Sequence, residues 1–180
     1  NFGYAGGHNV LLKKSIERGY DYFLFLNDDV VLIENFVEEM VKAVESGASV
    51  GSAQAKMLLH PEKDKINSCG NVLHYLGFGY TSEYKKPVNE AICENLREIA
   101  CSSGCAVIFP VKILKELGGF DEMMFAYHED SDLSWRLRLA GYKNILAGNA
   151  IIYHKYEFSR SKMKFYYIER NRLLLLLYNY

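Results

Sequence analysis

The stretch Phe23–Leu32, FLFLNDDVVL, decides how this chain is read. Tyr22 to Leu26 form a short apolar run rich in aromatic and branched side chains, the pattern of a strand covered on both faces. Asn27, Asp28 and Asp29 follow at once, groups that are costly to bury without partners, and the apolar run resumes at Val30. Two carboxylates at the tip of a core strand have two readings. Mg²⁺ and Mn²⁺ take oxygen ligands and keep positions open for phosphate, so the pair suits a hard-cation site. Asn-Asp-Asp is also good turn chemistry, which would make it a solvated turn.

Working outward, the elements alternate. After a loop over Asn1–His8, Asn9–Arg18 reads as a helix that Gly19 ends, and Tyr22–Leu26 is the strand just described. Phe36, Val37, Met40, Val41 and Val44 recur at helical spacing and stop before Gly47. Val50–Leu58 reads as a strand, His60–Asn95 as a polar, glycine-bearing middle, and Ile99–Phe109 as another strand. Val111–Leu117 reads as a short helix, Asp130–Ala140 as a helix capped by Gly141, and Ile145–Tyr153 as a last strand with a break at Gly148. This alternation predicts an α/β sandwich on a mainly parallel sheet, whose ligands sit at the carboxyl ends of the strands, where Asn27–Asp29 fall.

Composition bounds the function. The 180 residues are 49% hydrophobic and 24% charged, enough for one domain, residues 1–180, with a sizeable core. A formal net charge of −1 gives no general attraction to nucleic acid. Cys69, Cys93, Cys101 and Cys105 are too few for a disulfide scaffold, and Cys101-x-x-x-Cys105 lacks the second close pair of a zinc site, so they read as reduced, mostly buried thiols. No signal peptide is visible, Leu173–Leu177 is too short for a bilayer span of roughly 20 residues, and a start at a glycine loop suggests a piece of a longer protein.

Three further stretches carry chemistry. NFGYAGGHN, Asn1–Asn9, fits neither the dinucleotide fingerprint nor the Walker pattern, but Gly3, Gly6 and Gly7 would let backbone N–H groups approach a phosphate or sugar hydroxyl ahead of a helix; the plainer reading is a flexible turn. In Gly118–Tyr142, the carboxylates Asp121, Glu122, Glu129, Asp130 and Asp132 crowd near a helix start, where they either cap the helix or serve as a general base beside the apolar flap Met123–Tyr127. Arg136 and Arg138 would face the acidic cluster or a diphosphate. In Ile151–Ser159, His154 ends a β-type run at the same rim as Asp29, although a lone histidine is more often surface or core.

Taken in order, Asn-x-Gly-x-x-Gly-Gly-x-Asn, Leu-Asn-Asp-Asp, Ser-Gly-Cys, Gly-Gly-Phe-Asp-Glu, Glu-Asp-x-Asp-Leu-x-x-Arg, Ala-Gly-Tyr and Tyr-His-Lys resemble the family 2 glycosyltransferases of GT-A fold, rhamnosyltransferase-like members above all. The resemblance implies a three-layer α/β/α sandwich with a mainly parallel, mixed sheet that lacks the first β-α elements, which hold the nucleotide base; donor binding would then need that segment. It implies an inverting transfer of a sugar from a nucleotide-diphosphate sugar to a saccharide or lipid-linked saccharide acceptor in surface polysaccharide synthesis. Asp29 and His154 would hold Mn²⁺ or Mg²⁺. Asp130 would be the base, with Glu129 and Asp132 beside it. Asn1, Gly3, Gly7, Asn9, Asn27, Asp28, Ser103, Gly104 and Arg136 would bind the donor, and Gly119, Phe120 and Asp121 would lie on the acceptor side. Asn27 replaces the first acid of the family's Asp-x-Asp, which removes one charged ligand.

The resemblance places the activity in the cytoplasm. The basic, aromatic tail from Lys155 (Arg160, Lys162, Lys164, Arg170 and Arg172 against Glu157 and Glu169, with Phe158, Phe165, Tyr166 and Tyr167) reads as a packing helix with a solvated face or as an interfacial helix at the inner membrane face. The alternatives in function are a sugar-phosphate nucleotidyltransferase and a non-catalytic saccharide-binding member.

Overall fold

The computed structural model describes residues 1–156 and 161–179; Glu157, Phe158, Ser159, Arg160 and Tyr180, which belong to the stretches just read, lie outside the described residues. In chain order the elements are α1 (Gly3–Glu17), β1 (Tyr22–Leu26), β2 (Val30–Leu32), α2 (Phe36–Val44), β3 (Val50–Leu59), β4 (Ile66–Ser68), β5 (Asn71–Leu73), β6 (Gly79–Thr81), β7 (Glu98–Ile99), β8 (Ala106–Pro110), α3 (Val111–Leu117), a 3₁₀ turn (Glu122–Met124), α4 (Glu129–Leu139), β9 (Lys143–His154) and α5 (Lys162–Asn179).

Among the described residues the main sheet has the order β1-β8-β3-β9-β2, with β4 on β3 and β7 on β9. The β3–β9 pair is parallel, and β1–β8, β8–β3 and β9–β2 are antiparallel. Strands β1, β3 and β9 thus run one way with β8 inverted among them, so the sheet is mixed, as the family resemblance implied. Alternation along β8 sends Ala106 and Ile108 to one face and Val107 and Phe109 to the other. On the first face α2 buries Phe36, Met40, Ala43 and Val44. On the second, α1, α3 and α4 bury Leu12, Leu114, Leu133 and Leu137. Those two apolar layers make the three-layer sandwich.

Four expectations need correction. The glycine stretch is not a loop: α1 already begins at Gly3, because Ala5 N–H donates to Phe125 O and the small residues let the first turns pack against the flap. Gly3 has φ +67, and a Cβ there would lie 2.4 Å from Phe125 O. The strand expected over Ile99–Phe109 is two strands, since residues 101–105 leave the sheet to meet Gln54 and Asp130. Strand β9 is not interrupted at Gly148 but bulges: Ala55 pairs with Ala147 and the next residue, Lys56, with Ile151. Cys69 and Cys93 are not thiols; they form a disulfide that pins the insertion over residues 60–97, while Cys101 and Cys105 are free and buried.

The tail packs. α5 buries Asn171 and Leu175 and lies against α4 and the 3₁₀ turn. No helix among the described residues is long and apolar enough to cross a membrane.

Candidate active site

Register brings the rim together. Leu26 pairs with Ala106, and Asn27 N–H donates to Cys105 O, so the tip of β1 sits beside the turn before β8. Val30 pairs with His154, and Lys155 N–H donates to Asp29 O, so the acid after β1 meets the end of β9. The run of FLFLNDDVVL that resumes at Val30 is therefore a second strand, whose pairing places Asp29 on His154.

His154 Nε2 lies 3.2 Å from Asp29 Oδ1, and His154 Nδ1 is 2.8 Å from Asn67 Oδ1. An amide oxygen only accepts, so Nδ1 carries the proton in this contact and, in the neutral ring, Nε2 presents its lone pair to a carboxylate oxygen. Asp29 Oδ1 is itself buried without a hydrogen-bond partner. Two acceptors facing at that distance are compatible with a cation beside them, and Asn67 fixes the ring as an outer partner fixes a metal-binding histidine. The donor set of carboxylate and imidazole fits Mn²⁺ or Mg²⁺ with positions left open.

Asp130 stands across the same hollow. Gly104 N–H donates to its Oδ2 at 3.0 Å, and Ser131 N–H and Oγ–H donate to Oδ1 at 2.7 and 3.2 Å. Glu129 is buried; burial first, and the neighbouring Asp130 second, push its carboxyl up to about 8, and its Oε2 has no hydrogen-bond partner. Tyr4 OH donates to Gly104 O at 2.6 Å, and burial raises its phenol.

A cleft of about 350 Å³ is lined by Tyr4, Asn27, Ser103, Gly104, Cys105, Ala126, Tyr127, Glu129, Asp130 and His154. A second, about 370 Å³, shares Ser103, Cys105 and His154 with it and extends to Asn67, Thr81, Tyr84 and Tyr156. A third, about 250 Å³, shares Tyr127, Glu129 and Asp130 and extends to Asn71, Tyr80 and Ile168. His154 thus faces one flanking cleft, Asp130 the other, and both face the centre.

The other residues named from sequence sit elsewhere. Asp132 is buried against Arg136 Nε (2.8 Å) and Asn179 Nδ2 (2.9 Å). Arg136 gives its remaining N–H groups to the carbonyls of Leu117 and Gly119, so both residues are committed to joining α3, α4 and α5. Asn9 bridges Phe120 N and O and Glu122, clamping α1 to the loop after α3. Phe120 is core, and Asp121 caps the 3₁₀ turn through Met123 N–H. Asn1 Oδ1 accepts from Gly3 N–H, Gly119 packs on Asn9, and Gly7 has open space at its Cα. Asp28 is exposed beside the site. Sequence reasoning missed Tyr4, Asn67 and Cys105; the Ser-Gly-Cys triplet held a signal for the last alone.

A model of the family described as glycosyltransferase-like family 2 matches residues 11–174. No curated protein matches the chain. Among solved structures it is similar to the crystal structure of GalNAc-T7 with UDP, GalNAc and Mn²⁺, at TM-score 0.70 and 11% identity, over 97% of this chain and 34% of that one. The chain therefore spans about a third of that protein's length. A likeness at such low identity speaks for the fold, and the fold is GT-A. With the family model covering nearly the whole chain, the chain belongs to the glycosyltransferase-like family 2.

Proposed function

We propose that this chain carries the catalytic part of an inverting glycosyltransferase, which moves a sugar from a nucleotide-diphosphate sugar to a hydroxyl of a saccharide acceptor, free or lipid-linked, in glycan or surface polysaccharide synthesis. The observation that carries the reading is that His154 and Asp130 line one cleft while Asp29 lies against His154, three residues from remote parts of the sequence. UDP and Mn²⁺ in the GalNAc-T7 structure support a nucleotide donor and a metal for this one.

Asp29 and His154 would hold a divalent ion, Mn²⁺ or Mg²⁺, with Asn27 and Asp28 next to them. When bound, that ion supplies positive charge against the negative charge that grows on the departing diphosphate, an effect of several kcal/mol. Asp130 takes the proton of the acceptor hydroxyl as the new bond forms. The N–H groups of Gly104 and Ser131 orient its carboxylate without neutralising it, and a general base so placed contributes roughly 10²- to 10⁴-fold. Glu129, whose carboxyl burial pushes up to about 8, is held protonated below that value beside it. Tyr127 and Ala126 of the flap close the wall and limit water. With the diphosphate in the cleft toward Asn67 and the acceptor in the cleft toward Tyr80, the acceptor oxygen would bond to the anomeric carbon of the donor as the bond to the diphosphate oxygen breaks on the opposite side, which inverts that carbon in one displacement.

The full-length chain assayed against a panel of nucleotide sugars, with and without Mn²⁺, tests this. Turnover with inverted product, read by NMR of the anomeric proton, is the expected result. Asp130→Asn should lower kcat by about 10²- to 10⁴-fold while donor binding by calorimetry persists; undiminished turnover in that variant removes the assignment.

A further inference from the structure

Cys105 enters the rim where neither the carboxylate motif nor the lone histidine would place a third ligand. Its Sγ, Asp29 Oδ1 or Oδ2 and His154 offer one ligand atom each, all within 4.8 Å of one another. In a four-coordinate site with metal–ligand bonds of about 2.0 to 2.3 Å, ligand atoms lie about 3.5 Å apart, so modest side-chain rotation closes the gap. The thiol is held there by the backbone: Asn27 N–H donates to Cys105 O, and Cys105 N–H donates to Ser103 Oγ at 3.3 Å. It is buried, lines both the central cleft and the cleft toward Asn67, and makes no disulfide. The other free thiol, Cys101, lines none of these three clefts.

We infer that Cys105 is a third protein ligand of the ion held by Asp29 and His154, and that the site is a mixed oxygen, nitrogen and sulfur centre. The inference rests on the metal reading given above. As the metal–sulfur bond forms, the thiol proton leaves to solvent and the ion's charge stabilises the thiolate. A thiolate changes which ions the site prefers. Mg²⁺ strongly favours oxygen ligands, whereas Co²⁺, Zn²⁺ and Cd²⁺ accept sulfur and nitrogen readily. The ranking expected for binding is Zn²⁺ and Cd²⁺ above Co²⁺, Co²⁺ above Mn²⁺, and Mg²⁺ last.

The test is optical and needs no turnover. The full-length protein, in buffer free of thiols, is titrated with Co²⁺ and followed for the sulfur-to-cobalt charge-transfer band in the near ultraviolet and the ligand-field bands in the visible. The wild type should show both, and Cys105→Ser and Cys105→Ala should lose the charge-transfer band and bind Co²⁺ more than about tenfold more weakly, a lower bound set by what loss of even an outer partner costs. Cys101→Ser should keep the band. Ligand-field bands without charge transfer in the wild type overturn the inference and leave the metal reading standing. Absence of any Co²⁺ binding overturns both. A band that survives in both Cys105 variants also overturns it, and where one of the two fails to fold the other carries the comparison.

Discussion

At the scale of single residues, Glu129 links folding to pH. Its carboxyl is 6% exposed and raised from the ordinary 4.5 to about 8, by burial first and by Asp130 second. The unfolded chain releases this proton near 4.5, the folded chain only near 8, so between those values the folded state binds more protons. Stability from this group is therefore complete below 4.5 and declines as pH rises toward 8. Thermal melts of the wild type should drop from pH 5 to pH 8 more steeply than those of Glu129→Gln, which cannot titrate; parallel slopes would show that Glu129 is ionised throughout. The pair Glu129-Asp130 was legible as acids at a helix start. That the Glu129 carboxyl is pushed up was not, because that depends on burial contributed by residues far along the chain. Asn67 was hidden for the same reason, and so was the placement of Cys105 despite its Ser-Gly-Cys signal: a register between strands, not a spacing in sequence, sets them against His154 and Asp29.

At the scale of elements, α5 is the brace of the flap. Asn171, 0% exposed, donates through Nδ2 to the carbonyls of Met124, Ala126 and Tyr127 at 2.6, 2.9 and 2.6 Å. Arg170 reaches the carbonyls of Met123 and Met124, and Phe125 stacks on Tyr167 with ring centroids 5.0 Å apart. The segment so held contains Phe125, Tyr127 and His128 at φ 60, 70 and 66, a conformation that side chains other than glycine adopt at a cost of about 1–3 kcal/mol each. Asn171→Ala leaves buried carbonyls without their donor and should lower stability by about 1–3 kcal/mol in urea unfolding. Hydrogen exchange should quicken at residues 124–128 and stay unchanged in β3; uniform change would show that α5 supports the whole core instead. Hydrophobic periodicity could not reveal this role, because the side chain that anchors the helix is an amide.

At the scale of the molecule, the order of strands and helices was legible, and so was the rim to which their ends point: β1, α2, α3 and α4 lie within a residue or two of the expected bounds. The polar middle was not, since strands of three residues have too few positions to show a period. That insertion supplies Asn67, Thr81 and Tyr84 to the cleft and is tied down by Cys69–Cys93, 24 residues apart. Cys93→Ser should cost about 3 kcal/mol, as expected for opening a loop of such length. Its effect should concentrate in residues 60–97, read by hydrogen exchange, and spare the β1–β8 pair. Exchange that rises equally in β1 and β8 would show that the bridge stabilises the fold as a unit.

One residue ties Tyr4 and Asp130 together through the two peptide groups that flank its Cα. Gly104 gives its N–H to Asp130 and its carbonyl to Tyr4, and a Cβ at its Cα would lie 2.6 Å from the phenol oxygen. Both peptide groups of Gly104 are thus engaged, so on the function proposed above a shift of Ser103–Cys105 on donor binding would carry the Asp130 carboxylate with it. On that same reading, the order in which the two substrates arrive is coupled through Gly104.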